Sequence, residues 1–89
     1  MRAGYPTNGT KELLNKISSI LEICEKFGFD KVDGNLSLLY IYNSYNERIV
    51  VSTQLSGYTS IKYQKSITED AVFLTCNPSE LEQVFPIEL

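Results

Sequence analysis

Histidine is absent from all 89 residues, which removes the commonest general base and the commonest nitrogen ligand for transition metals. Ser-His-Asp and Cys-His catalysis are excluded with it. Two cysteines, Cys24 and Cys76, lie far apart in sequence and form no zinc site without further ligands at metal-binding spacing. Both sit in apolar stretches and read as small core residues of a reducing compartment. The segment Gly4-Tyr5-Pro6-Thr7-Asn8-Gly9 has glycines but neither the lysine nor the strand-loop-helix setting of a phosphate-binding loop. Carboxylate pairs occur at Glu69-Asp70 and at Glu80 with Glu82. Acid-base catalysis needs two carboxylates that converge on one cleft in different environments, whereas these fall in a turn and on a surface helix. Serines and lysines are plentiful, yet no spacing singles out a pair. The side chains therefore specify no catalytic centre, no metal site and no cofactor, and the chain is expected not to be an enzyme.

Contact chemistry is better represented. Tyrosine suits surfaces where one end of the ring is buried and the other is wet, and the chain has six. Tyr45 and Tyr58 stand among Asn, Ser and Gly residues in expected hairpin loops, a combination typical of adaptable binding loops. The run Leu36-Ser37-Leu38-Leu39-Tyr40-Ile41-Tyr42 is apolar at both odd and even positions. Successive strand side chains point to opposite faces, so such a strand reads as buried on both sides. Leu39, Ile41 and Val50 are accordingly expected on a second sheet face, beneath either the C-terminal segment or a second copy of the chain. A twofold axis lets one patch complement itself, and the interface expected is Leu39, Ile41, Val50, Tyr45 and Tyr58.

The elements that position these residues follow from periodicity. Between Lys11 and Phe27, apolar residues fall at Leu13, Leu14, Ile17, Ile20, Leu21, Cys24 and Phe27, the stripe of an amphipathic helix. Thr10 is a capping residue, and Gly28 offers the left-handed conformation that ends a helix, with Phe29 folding back on the last turn. The first ten residues read as a loosely held arm. Asp33-Gly34-Asn35 signals a turn, after which four strands follow: Leu36 to Tyr42, Arg48 to Leu55, Thr59 to Ile67 and Ala71 to Cys76. A four-residue loop Ser44 to Glu47 would set Tyr42 against Ile49, Tyr40 against Val51 and Leu38 against Thr53. A three-residue loop Ser56 to Tyr58 would set Val51 against Tyr63 and turn Lys62 and Gln64 outward. On this register the long helix covers Leu36, Leu38, Tyr40, Tyr42, Ile49, Val51, Ile61 and Tyr63. Asn77-Pro78 starts a short final helix.

The expected fold is thus a single α+β domain over residues 1–89: a long N-terminal helix on a four-stranded antiparallel meander, closed by a short helix. A chain of this length cannot sustain two cores. This element order resembles that of a double-stranded-RNA-binding domain, but Glu80 and Glu82 stand where that family's final helix begins with lysines, so its function is not implied. Eight Lys and Arg against eleven Asp and Glu give a formal charge of -3, which disfavours nucleic acid and anionic lipid. If Arg48, Lys62 and Lys65 shared a patch with Tyr58, a single strand would have a place to stack. No stretch approaches the length of a membrane span, and Met1 to Thr10 lacks a secretory pattern, so a cytoplasmic protein is expected. The function expected is protein contact as an adaptor, regulator or inhibitor, with a homodimer first. The alternative is a small-ligand site between helix and sheet, with tyrosine hydroxyls giving polar specificity.

Overall fold

The structure, a computed structural model, describes residues 8–84. Helix α1 (Asn8–Lys26) is followed by strands β1 (Lys31–Gly34), β2 (Leu38–Tyr42), β3 (Arg48–Thr53), β4 (Thr59–Gln64) and β5 (Val72–Thr75), and by helix α2 (Pro78–Val84). All five strands form one antiparallel sheet in chain order. The α+β class is as expected; the strand count is five rather than four.

The helix ends where its chemistry dictates. Gly28 takes φ +90°, its N–H donates to the Glu25 carbonyl at 3.1 Å, and the Phe29 N–H reaches back to the Cys24 carbonyl at 3.0 Å. This paired closure satisfies carbonyls that the last turn leaves open, and it buries Phe29 beside Cys24. At the other end of the chain, Asn77 caps α2: its Oδ1 accepts from the Ser79 N–H at 3.1 Å, and Pro78 supplies the fixed φ of a first helical residue.

Ile17, Ile20 and Cys24 of α1 and Leu81 of α2 meet Leu39, Ile41, Ile49, Val51, Ile61 and Tyr63 from the sheet in one core. Both helices therefore lie on the same side of the sheet, and α2 does not cover the other face. Among the described residues no helix is long and apolar enough to cross a membrane.

Three expectations need correction. The arm does not extend to residue 10, because Asn8, Gly9 and Thr10 are already helical; residues 1–7 lie outside the described residues. Lys31–Gly34 forms a strand rather than the approach to a turn. All four of its residues are exposed, so it carries no hydrophobic period, and only its pairing with β2 makes it a strand. The turn that Asp33-Gly34-Asn35 signals falls two residues later, at Leu36-Ser37. There the Asn35 N–H donates to the Leu38 carbonyl at 3.0 Å, while Asn35 Oδ1 accepts from the Ser37 and Leu38 N–H groups.

The β2–β3 register also differs, and it changes which residues of β2 face the helices. Tyr42 pairs with Arg48, Ile41 with Ile49, Tyr40 with Val50 and Leu39 with Val51, one residue away from the expected register. The β2–β3 loop is shorter than expected, three residues rather than four, because Asn43 pairs with Glu47. The Asn43 N–H donates to the Glu47 carbonyl at 3.1 Å, and the Asn46 N–H to the Asn43 carbonyl at 3.3 Å. Asn46 takes a left-handed φ of +65°, a conformation that asparagine tolerates. Asn43 Oδ1 accepts from the Tyr45 and Glu47 N–H groups at 2.9 and 3.0 Å. A one-residue slip exchanges the faces of a strand. Leu39 and Ile41, expected on the second face, are consequently 6% and 0% exposed in the core, and Leu38, Tyr40 and Tyr42 take the face away from the helices.

The β3–β4 hairpin closes in the same way: Gln54 pairs with Tyr58, and Gly57 at φ +93° plays the part of Asn46. Here Val51 meets Ile61 and Ile49 meets Tyr63. That register differs from the expected one by two residues, so every side chain keeps its face.

Candidate functional site

The helix-free face is built from alternate residues of five strands. Its central row runs Asp33, Tyr40, Val50, Lys62 and Phe73 across the sheet; the next row is Lys31, Tyr42, Arg48 and Gln64. Leu38, Ser52 and Ser60 make a third. Tyr40, Tyr42, Arg48, Val50 and Lys62 are partly exposed, and Phe73 is 52% exposed.

Arg48 organises this surface. Its Cζ lies 4.9 Å from the ring centroid of Tyr42 and 5.9 Å from that of Tyr40, within cation–π range, worth about 0.5–1 kcal/mol at an exposed site. Its Nε is buried without a hydrogen-bond partner. Tyr42 Oη donates to Asp33 Oδ2 at 3.3 Å. Among the described residues the ion pairs are Lys26 with Glu82 at 3.1 Å and Lys31 with Asp30 at 3.5 Å. Among these residues Arg48 and Lys62 have no carboxylate partner, and Asp33 is the one acid in the rows described. A chain of formal charge -3 thus turns Arg48 and Lys62, without a carboxylate partner among the described residues, to the side that neither α1 nor α2 covers.

The expected contact residues fall in three places. Leu39 and Ile41 are core. Val50 lies at the centre of the open face. Tyr45 is 82% exposed at the tip of the β2–β3 hairpin. Tyr58 precedes buried Thr59, so strand alternation places it on the open side with Ser60 and Lys62. Tyr45 and Tyr58 stand at opposite ends of β3, six residues long or roughly 20 Å, and are not brought together. Arg48, Lys62 and Tyr58 do share a face. Lys65 does not join them; its charge acts on Glu47.

The sequence alone does not mark Leu38, Tyr40, Tyr42 and Phe73 as surface residues. The signal that would have found the first three is the pair Asn43 and Asn46, which suits a three-residue loop with one left-handed position.

Elsewhere, titratable groups serve the fold. Tyr63 Oη donates to Glu47 Oε2 at 2.7 Å and Asn43 Nδ2 donates to Oε1 at 2.6 Å. These two bonds, Tyr63 first, hold the Glu47 carboxyl below its ordinary range. Burial, and then the same bond to Glu47, push the Tyr63 hydroxyl up. Burial pushes the Cys24 thiol up to about 12, which leaves it without a reactive thiolate at neutral pH. Glu69 and Asp70 are exposed in the β4–β5 turn; Glu80 accepts from Thr75 Oγ1 at 3.3 Å, and Glu82 holds Lys26.

Comparison with models of protein families, with curated proteins and with solved structures finds no match to this chain. The surface must be read from its own chemistry. An open groove of about 590 Å³ runs between α1 and α2, lined by residues that include Glu12, Lys16, Glu22, Asn77 and Glu82. It lies between the two helices, not between α1 and the sheet, where the core side chains pack.

Proposed function

We propose that this chain is a small non-enzymatic interaction module whose contact surface is the helix-free face of the sheet. The observation that carries this reading is the placement of both helices on one side, which leaves Leu38, Tyr40, Tyr42, Val50 and Phe73 on the other. Apolar and aromatic residues gathered on an uncovered face mark interaction surfaces more often than scattered ones do. Tyrosine rings held on a sheet beside the Arg48 guanidinium also suit recognition, because few rotamers are frozen when a partner docks.

Contact with a second copy is one form of this docking, favoured by the apolar members Leu38, Val50 and Phe73. Light scattering on a size-exclusion column tests it, with Val50→Asp as the probe. Docking on this face predicts that Val50→Asp leaves the circular-dichroism spectrum and melting midpoint nearly unchanged while contact is lost. A variant that unfolds would show that Val50 belongs to the core and would overturn the reading.

A further inference from the structure

We infer that the ligand of the helix-free face is single-stranded nucleic acid, held by stacking on Tyr40, Tyr42, Tyr58 and Arg48 and by phosphate contacts to Arg48 and Lys62. The inference rests on that face being the contact surface and adds the class of partner. Two independent features lead to it.

The first is charge. The cations Arg48 and Lys62 face out in rows whose one carboxylate, Asp33, already accepts from Tyr42, while Lys31 in the outer row pairs with Asp30 at 3.5 Å. Arg48 and Lys62 have no acidic partner among the described residues. The formal charge of the whole chain is -3, so this face departs in sign from the molecule that carries it. An anionic occupant is attracted. A second copy laid face to face would bring two further unneutralised cations to the contact with only Asp33 to offset them, and like charges across an interface are costly.

The second is shape and ring chemistry. Tyr40 and Tyr42 are same-face neighbours on β2, about 6.8 Å apart along the strand. The guanidinium over them is itself a planar stacking surface. Bases of a single strand are free to splay onto such rings, whereas a duplex keeps its bases stacked and offers grooves that a broad flat sheet does not enter. Every base has a π-face, so binding of this kind is sequence-tolerant. A carboxylate-rich peptide would satisfy the cations but would leave the rings without planar partners.

The test is fluorescence anisotropy of a short labelled oligothymidylate against the full chain at low and at physiological salt. Binding should weaken with salt, with a slope of log K on log salt of about -1.4, from roughly -0.7 for each of the two cations Arg48 and Lys62 on a single strand. A duplex of the same length should bind more weakly. Tyr40→Leu should lower affinity about tenfold by removing one stacking plane, and Lys62→Glu should lower it further and flatten the salt slope. Lys62→Glu lies on the side away from the helices and leaves the Arg48 contacts with the tyrosines in place. No binding at low salt, or binding unchanged in both Tyr40→Leu and Lys62→Glu with the fold intact, overturns the inference. If the strand fails to bind while the chain dimerises and Val50→Asp returns it to a monomer, nucleic acid is overturned but the contact surface stands.

Discussion

The two faces of this sheet are made by neighbouring residues of the same strands, and they differ in what the chain has done with them. On one face Leu39, Ile41, Ile49, Val51, Ile61 and Tyr63 lie beneath two helices. On the other, Tyr40, Tyr42, Arg48, Val50 and Lys62 remain partly in water. The covered face is aliphatic with one tyrosine, whose hydroxyl is committed to Glu47. The open face is aromatic and cationic, and its Arg48 and Lys62 have no carboxylate partner among the described residues. Burial alone would select for the first composition; the second makes sense where something is to be held.

Truncation of adjacent residues on β4 should break or sustain this comparison most visibly. Ile61→Ala removes a fully buried side chain and should cost about 2–5 kcal/mol in urea unfolding. Lys62→Ala, one residue on, should stay within about 0.5 kcal/mol. Similar losses at the two positions would mean that both faces are packed.

A smaller effect is expected at Asn43, which selects which residues of β2 face inward. Its buried amide accepts two N–H groups and donates to Glu47. Asn43→Ala should cost about 1–3 kcal/mol, since the bonded groups are left unsatisfied. It should also raise hydrogen exchange in β2 above that in β4. Uniform exchange would show that the loop does not fix the register.

The smallest effect sharpens the polar end of the covered face. Bonds from Tyr63 and Asn43 lower the folded value of Glu47, so the unfolded chain binds this proton more readily. The stabilisation is present above the ordinary glutamate value of about 4.3 and is lost as pH falls through the lower folded value. Tyr63 runs the other way. Its folded value is raised, so its contribution is present below about 10 and is lost as pH rises. Glu47→Gln should shallow the acid-side slope of stability in melts taken across pH; an unchanged slope would assign acid lability to other carboxylates.

Much of the scaffold was legible. The stripe of α1, its Gly28 closure and the Asn77-Pro78 start of α2 are local signals, and local signals survive folding. β1 was not legible, because four exposed residues have no period and are strand only by pairing. The registers show how a local detail becomes global. At the β3–β4 hairpin the pairing differs by two residues and the faces stand. At the β2–β3 hairpin it differs by one, and Leu39 and Ile41 exchange places with Tyr40 and Tyr42. Because β2 is apolar at every position, hydrophobic pattern cannot arbitrate, and the choice falls to Asn43 and Asn46. The open face is half legible: Val50, Tyr58, Arg48 and Lys62 stand out in the sequence, while Tyr40 and Tyr42, which complete it, read there as core.

The most direct measurement is therefore a pair of urea unfolding curves for Tyr40→Asp and Ile41→Asp. A charge at Ile41 enters a fully buried site and should cost more than about 4 kcal/mol, a large share of a small domain's stability. A charge at Tyr40 meets water and the Arg48 guanidinium, and the chain should remain folded. An unfolded Tyr40→Asp beside a folded Ile41→Asp would reverse the faces of β2 and contradict the account.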